Sequence, residues 1–295
     1  MQLSLALFFF LSINLSAVSQ ELPLKIHTSV EPVKTLIKKI GGEQVDVQVL
    51  IKSGFNPHHY NPTVKQISAL SHSSLYIDTG LEFEKSWLPR FRAANPEIEI
   101  LSLNHTVFSA EDGHQTDQNS PHSEHQHKYK HQHKDDPHIW TSPLKAKKFA
   151  IMILDRLIML KPDSQSLFKR NYHQLILELE QLDREIFKLL KPLNNRKFMV
   201  FHPAWDYFAE TYNLKQISVE HEGKEPGAKA LSKIIDLAKK EKISVIFVQP
   251  QFSTKQAEII ADAINGEVIT IDPLDADYFA TLRKLSYSIA GLSIK

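Results

Sequence analysis

Hydrophobic and polar positions along the chain repeat with two periods, one typical of strands and the other typical of helices. Short β-branched runs such as 24–30 and 45–51 alternate between apolar and polar residues, which predicts strands. Apolar residues from Val33 to Ile40 recur at helical spacing, which predicts a helix between those strands. The alternation resumes after residue 192, so the pattern predicts an α/β protein with two lobes and mainly parallel sheets. The other strands are expected at 75–78, 98–103, 198–201, 216–219, 245–248 and 268–271.

A long helical segment separates the two runs of strands and helices. Pro162-Asp163-Ser164 is expected to end one helix and to begin the next, and neither Gly nor Pro occurs from there to Leu190. At 1.5 Å per residue this predicts a helix roughly 40 Å long. We expect it to link the lobes and restrict their hinge, with a crossover helix inside one larger domain as the alternative. The expected divisions are a signal peptide at 1–19, an N-terminal lobe at 20–162, a linking helix at 163–191 and a C-terminal lobe at 192–295.

The N-terminus carries the features of an export signal. The apolar run from Leu3 to Leu11 is too short to span a membrane, and Ala17 and Ser19 are the small residues of a cleavage site. The two residues before the run lack Lys and Arg, so a buried N-terminal strand or helix is the alternative. We expect cleavage near Ser19 and a soluble product in a periplasm.

Composition and charge exclude several functions. The 295 residues contain 35 Lys+Arg and 34 Asp+Glu, a net charge of +1, which gives no electrostatic footprint for nucleic acid. The absence of Cys excludes disulfides, thiolate metal sites and a lipidated Cys anchor. No His-Glu-x-x-His, Gly-x-Ser-x-Gly or Gly-Lys-Ser/Thr motif occurs. We therefore expect no enzyme, and a zinc hydrolase is disfavoured.

Histidines are concentrated in an insert at 111–136. The insert contains almost no aliphatic residues, so it cannot bury enough surface to offset its ordering entropy, and we expect a mobile loop. Its imidazoles predict weak accessory metal binding, with a merely solvated polar loop as the alternative. These accessory candidates are His114, His122, His125, His127, His131 and His133.

Four other candidate residues each follow a predicted strand or precede a helix. They are His58, His138, His202 and Asp272, and each has a proline beside it or one position away. Ligands of parallel α/β sheets bind outside the carboxyl ends of the strands, so all four loops can face one cleft. Three neutral imidazoles and one carboxylate suit four-coordinate Zn²⁺.

The same motifs resemble those of a known family. Asn-Pro-His58-x-Tyr, Asp-Pro-His138-Ile-Trp, Phe-His202-x-Ala and Asp272-Pro-Leu are similar to the ligand motifs of metal-binding proteins that serve ABC importers, and most of all to zinc-uptake proteins of the ZnuA type. The resemblance covers essentially the whole mature chain. It implies two (β/α)₄ lobes bridged by one long rigid helix, with the metal in the cleft between them.

The resemblance also implies roles for individual residues. His58, His138, His202 and Asp272 become the expected metal ligands, with His59 as a reserve candidate and water as an alternative to Asp272. Manganese-selective relatives tend to have a carboxylate at the position of His202, so the imidazole favours zinc.

The function implied is that of a periplasmic zinc carrier that delivers Zn²⁺ to the membrane permease of an ABC importer. A periplasmic zinc-exchange protein is a further expected partner, and a monomer is the expected state. The alternatives are a carrier of manganese or another divalent metal, and a metal-binding adhesin on the same scaffold.

Overall fold

A computed structural model of the chain describes residues 22–52, 54–103, 136–220 and 224–292. The expected signal peptide at 1–19 lies outside the described residues, as does the His-rich insert apart from Asp136. Among the helices of the described part, none is both long and apolar enough to cross a membrane.

The N-terminal half forms a parallel sheet of four strands in the order β2-β1-β3-β4. Its strands are short and largely buried, which suits a parallel sheet with helices packed around it. The strands are β1 (Leu24–Thr28), β2 (Val45–Val49), β3 (Leu75–Asp78) and β4 (Glu99–Ser102). The helices are α1 (Glu31–Gly41), α2 (Val64–Leu70), α3 (Glu82–Ala94) and α4 (Pro143–Leu160).

The C-terminal half repeats this arrangement with a second parallel sheet in the order β6-β5-β7-β8. The expected pair of four-stranded α/β lobes is therefore confirmed. The strands are β5 (Lys197–Val200), β6 (Lys215–Ser218), β7 (Val245–Val248) and β8 (Glu267–Thr270). The helices are α6 (Asp206–Thr211), α7 (Ala228–Lys240), α8 (Lys255–Ile264) and α9 (Tyr278–Ile289).

A single helix, α5 (Gln165–Leu190), connects the two halves over 26 residues. Leu175, Leu179 and Leu182 bury one face of it, and it packs against α1, α4 and α9. Lys39 of α1 donates to Glu178 at 2.5 Å, and Arg283 of α9 donates to Glu185 at 2.9 Å. The helix α5 thus contacts the first helix of one lobe and the last helix of the other. The residue limits expected for the domains stay a prediction.

The two lobes meet through direct contacts as well as through α5. The indole Nε1 of Trp140 donates to the carbonyl of Pro273 at 2.8 Å, and the hydroxyl of Thr35 donates to the carbonyl of Ala276 at 2.8 Å. The main hydrophobic core includes residues of the N-terminal sheet together with Trp205 and others of the C-terminal half. The lobes therefore share buried surface beside the loops that carry the candidate ligands.

Candidate metal site

His58 lies in a short 3₁₀ turn, Pro57–His59, that follows β2. The side chain of Asn56 accepts a hydrogen bond from the backbone N–H of His58 at 2.9 Å and so caps this turn. The hydroxyl of Tyr60 donates to the carbonyl of Leu50, which attaches the turn to the end of the strand. Pro57 and Pro62 restrict the backbone on either side of this turn, and the hydrogen bonds hold it in place as well.

His138 precedes a 3₁₀ turn and α4, and it is oriented by its own sequence neighbour. Asp136 Oδ1 accepts from the backbone N–H of His138 at 2.9 Å and lies 2.7 Å from its Nδ1. An ionised carboxylate only accepts hydrogen bonds, so Nδ1 carries the ring proton and Nε2 keeps its lone pair. With 2% of its surface exposed, His138 is a buried imidazole in the tautomer that binds a metal through Nε2.

His202 follows β5 in the second lobe and is oriented by a more distant acid. Its Nδ1 lies 3.1 Å from Oε1 of Glu220, and its ring stacks on Phe252 at a centroid distance of 4.9 Å. Burial lowers the pKa of His202 below the ordinary histidine value, and the hydrogen bond to Glu220 opposes that shift. The imidazole is therefore neutral at neutral pH, as a metal ligand must be.

The three imidazoles from these separate loops converge on one point. One nitrogen of each ring lies within 4.8 Å of the others. The Nε2 atoms of His58 and His202 are 2.9 Å apart, and the ring centroids of His138 and His202 are 5.6 Å apart. Such a group can hold one divalent cation with nitrogen ligands and leave a further position for an oxygen ligand.

Asp272 follows β8 at the same edge, but it does not belong to the group of three imidazoles. Its carboxylate accepts from the side chain of Gln251 and from the backbone N–H of Leu274. Burial raises the pKa of Asp272, and these hydrogen bonds oppose the shift. The assignment of Asp272 as a ligand stays a prediction.

The remaining candidates cannot be placed in the site. The backbone of His59 lies in the same 3₁₀ turn as His58, and its side chain is outside what the structure describes. The six accessory histidines of the insert also lie outside the described residues.

Two functional neighbours of the ligands were not predicted from the sequence. Asp136 was visible in the Asp-Pro-His motif, but its role in orienting the imidazole was not inferred. Glu220 reaches His202 because β5 and β6 pair with Val200 opposite Ser218, so both residues lie two positions beyond the paired ones. Knowledge of strand pairing is needed to find that contact.

The fold and the site together define a two-lobed binding protein in which the lobes jointly supply three imidazoles. The chain belongs to the family described as zinc-uptake complex component A periplasmic, or ZnuA, whose model matches residues 26–291. This confirms the resemblance found in the sequence.

Individual relatives agree with that membership. A crystal structure of ZnuA has 37% sequence identity and a TM-score of 0.80, and the match covers 92% of this chain and 99% of that one. The high-affinity zinc uptake system protein ZnuA of Bacillus subtilis is 29% identical over 267 residues, which is 88% of this chain and 81% of the relative. The zinc-binding lipoprotein AdcA of Streptococcus pneumoniae is 26% identical, and the match covers 86% of this chain but about half of AdcA, at 50%.

Proposed function

We propose that this chain captures Zn²⁺ at His58, His138 and His202 and delivers it to the membrane permease of an ABC importer. The observation that carries the proposal is the convergence of three imidazoles within 4.8 Å, from loops of both lobes. Zn²⁺ accepts such a nitrogen set readily and needs no thiolate, which agrees with a chain that has no Cys. The metal is cargo in this proposal, so the protein performs no chemistry on it.

The carboxylates behind the imidazoles support a site for tight binding. Asp136 and Glu220 fix the Nδ1–H tautomer of His138 and His202, so that each Nε2 is available. Acids in this position also increase the basicity of the ligand nitrogen. Because two of the rings are oriented before a metal arrives, little ordering entropy remains to oppose binding.

Delivery to a permease and export to a periplasm are supported by family membership and by the names of relatives such as the high-affinity zinc uptake system protein. We propose cleavage of the export signal near Ser19 and a monomeric carrier. A periplasmic zinc-exchange protein is the further partner we propose.

The His-rich insert is proposed to collect Zn²⁺ weakly and raise its concentration near the cleft. Deleting 114–134 tests this role. We expect unchanged affinity of the main site and reduced uptake at limiting zinc. Unchanged uptake under every zinc limitation would contradict it.

Competition titration of the metal-free protein with Zn²⁺, Mn²⁺, Ni²⁺ and Cu²⁺ tests the choice of cargo. We expect one tight site that prefers Zn²⁺ to Mn²⁺ and that is lost on replacing His58 or His138 by Ala. His72→Ala is a matched control, because that histidine is exposed at the end of α2. Tighter Mn²⁺ than Zn²⁺ binding would instead favour the manganese carrier.

A further inference from the structure

Of the four ligands predicted for the main site, Asp272 is the one that lies outside the group of three imidazoles, and its surroundings explain why. Gln251, in the loop after β7, donates its Nε2 to both carboxylate oxygens, at 3.0 Å to each. The backbone N–H of Leu274 donates to Oδ1 at 2.9 Å. Asp272 is 7% exposed, so its carboxylate depends on these protein donors.

These contacts compete with metal binding. A carboxylate offers about four acceptor positions, and three contacts from two donors already occupy both of its oxygens. Asp272 lies outside the group of three imidazoles, so it must move to reach a metal held there, and a move that Gln251 does not follow breaks at least one of its two contacts with the carboxylate. A hydrogen bond to an ionised group is stronger than a neutral one, so this exchange has a substantial cost.

We propose that Gln251 is a positioning residue that holds Asp272 outside the coordination sphere of the metal. The site then consists of three imidazoles and one position open to water or to a ligand of a partner. This proposal rests on the proposed function, because it assumes that the imidazoles bind the cargo.

The consequence concerns selectivity. Carboxylate oxygen suits Mn²⁺, whereas imidazole nitrogen suits Zn²⁺. By keeping a carboxylate out of the site, Gln251 favours Zn²⁺ over Mn²⁺. Removing its amide leaves the buried Asp272 without its main side-chain donor, and a bound cation then becomes the best available partner for the negative charge.

The test compares Gln251→Leu, Asp272→Asn and the double variant in the full-length protein, by Zn²⁺ and Mn²⁺ competition against a chelator. We expect Gln251→Leu to raise Mn²⁺ affinity about tenfold and Zn²⁺ affinity by less, which corresponds to the loss of one charge-assisted hydrogen bond. Adding Asp272→Asn should abolish the gain. Gln256→Leu is the matched control, because Gln256 lies on α8 and donates to Glu225 instead.

X-ray absorption spectroscopy with one equivalent of Zn²⁺ supplies a second readout. We expect an additional carboxylate ligand in Gln251→Leu that disappears in the double variant. Gln251→Asn, whose shorter amide cannot span the same distance, replaces Gln251→Leu if that variant does not fold.

Several results would overturn the proposal. An unchanged Mn²⁺ to Zn²⁺ ratio in Gln251→Leu, or an equal change in the double variant, would remove Asp272 from the explanation. A loss of affinity would show that Gln251 instead orients Asp272 as a ligand. These outcomes leave the proposed function intact, whereas a wild-type protein that binds no Zn²⁺, or that binds it equally well after His202→Ala, overturns both.

Discussion

Two buried histidines, one in each lobe, show how the hydrogen-bond partner of a ring nitrogen distinguishes a core residue from a metal ligand. His27 in β1 is 4% exposed, and its Nδ1 lies 2.5 Å from the hydroxyl of Ser73. His202 after β5 is 6% exposed, and its Nδ1 faces the carboxylate of Glu220. Burial is nearly equal, but only His202 has an acid behind it and other imidazoles in front of it.

The difference also affects how the two rings respond to pH. Burial lowers the pKa of His27 to about 4, although the charge of Asp46 opposes the shift. Burial lowers the pKa of His202 too, but there the opposing contribution comes first from a direct hydrogen bond to Glu220. His27, with a hydroxyl as its partner, is thus a neutral residue of the core. His202, with a carboxylate as its partner, is an oriented base suited to binding a cation.

Replacing the ring that faces the other imidazoles should have the largest effect on binding. We expect His202→Ala to weaken Zn²⁺ binding by about 100-fold or more, because a nitrogen ligand is lost. His27→Gln should leave affinity within about twofold, since that ring lies elsewhere and its loss affects folding instead. Competition titration of both variants checks the contrast, and equal losses would break it.

His27, which should matter little for metal binding, should instead contribute strongly to the pH dependence of the free energy of unfolding. Between pH 6.5 and about 4 the unfolded chain binds a proton at His27 that the folded chain does not, so the free energy of unfolding falls as pH falls through this range. The loss should reach about 3 kcal/mol near pH 4. Urea unfolding of the metal-free protein at several pH values measures it.

The control for that experiment is His27→Gln, which removes the titrating ring. The variant should lose less stability on acidification than the wild type, while the exposed His72→Gln should follow the wild type. Parallel curves for His27→Gln and wild type would show that His27 does not titrate in this way.

Removing the acid behind His202 should have an intermediate effect. We expect Glu220→Gln to weaken Zn²⁺ binding by about 10- to 100-fold, because the neutral amide no longer increases the basicity of the ring or fixes its tautomer. Glu225→Gln, on the exposed surface of the same lobe, should change nothing. Calorimetric titration at fixed pH distinguishes the two, and a wild-type affinity for Glu220→Gln would contradict the role given to this acid.

The smallest effect is expected from the aromatic ring that stacks on His202. Phe252→Leu keeps an apolar side chain but removes the parallel contact, so we expect a loss of about threefold in Zn²⁺ affinity. Phe187→Leu on the exposed face of α5 is the matched control. A loss as large as that of Glu220→Gln would show that stacking, rather than the acid, orients the ring.

The sequence predicted the elements of the fold well where the local pattern was strong. The strands Leu75–Asp78 and Val245–Val248 have the expected limits, whereas the strand expected at 216–219 begins and ends one residue earlier. The helix α3 was not predicted, because Pro89 inside it is a helix breaker in local terms. Buried Glu84 stabilises its start by accepting from the backbone N–H of Leu81 at 2.7 Å.

The residues of the site that belong to short sequence motifs could be predicted. The Pro-His motifs and the resemblance identified His58, His138 and His202, and the structure brings these three together. The contacts of Glu220 and Gln251 depend on how neighbouring strands and loops pack, which no local pattern reveals. Packing also explains why Asp272, which shares the same edge, is turned toward an amide.

The helix α5 and the shared core between the lobes have a consequence for how a permease would distinguish a loaded carrier from an empty one. A carrier whose lobes swing shut presents its cargo state as a change of overall shape. Here the lobes are joined by the long helix α5 and by contacts such as that of Trp140 with Pro273, so we expect only a small movement of the lobes when metal binds. If so, the ligand loops are the part of the surface that changes most between the empty and the loaded carrier, and we expect a permease to distinguish the two states by contact with those loops.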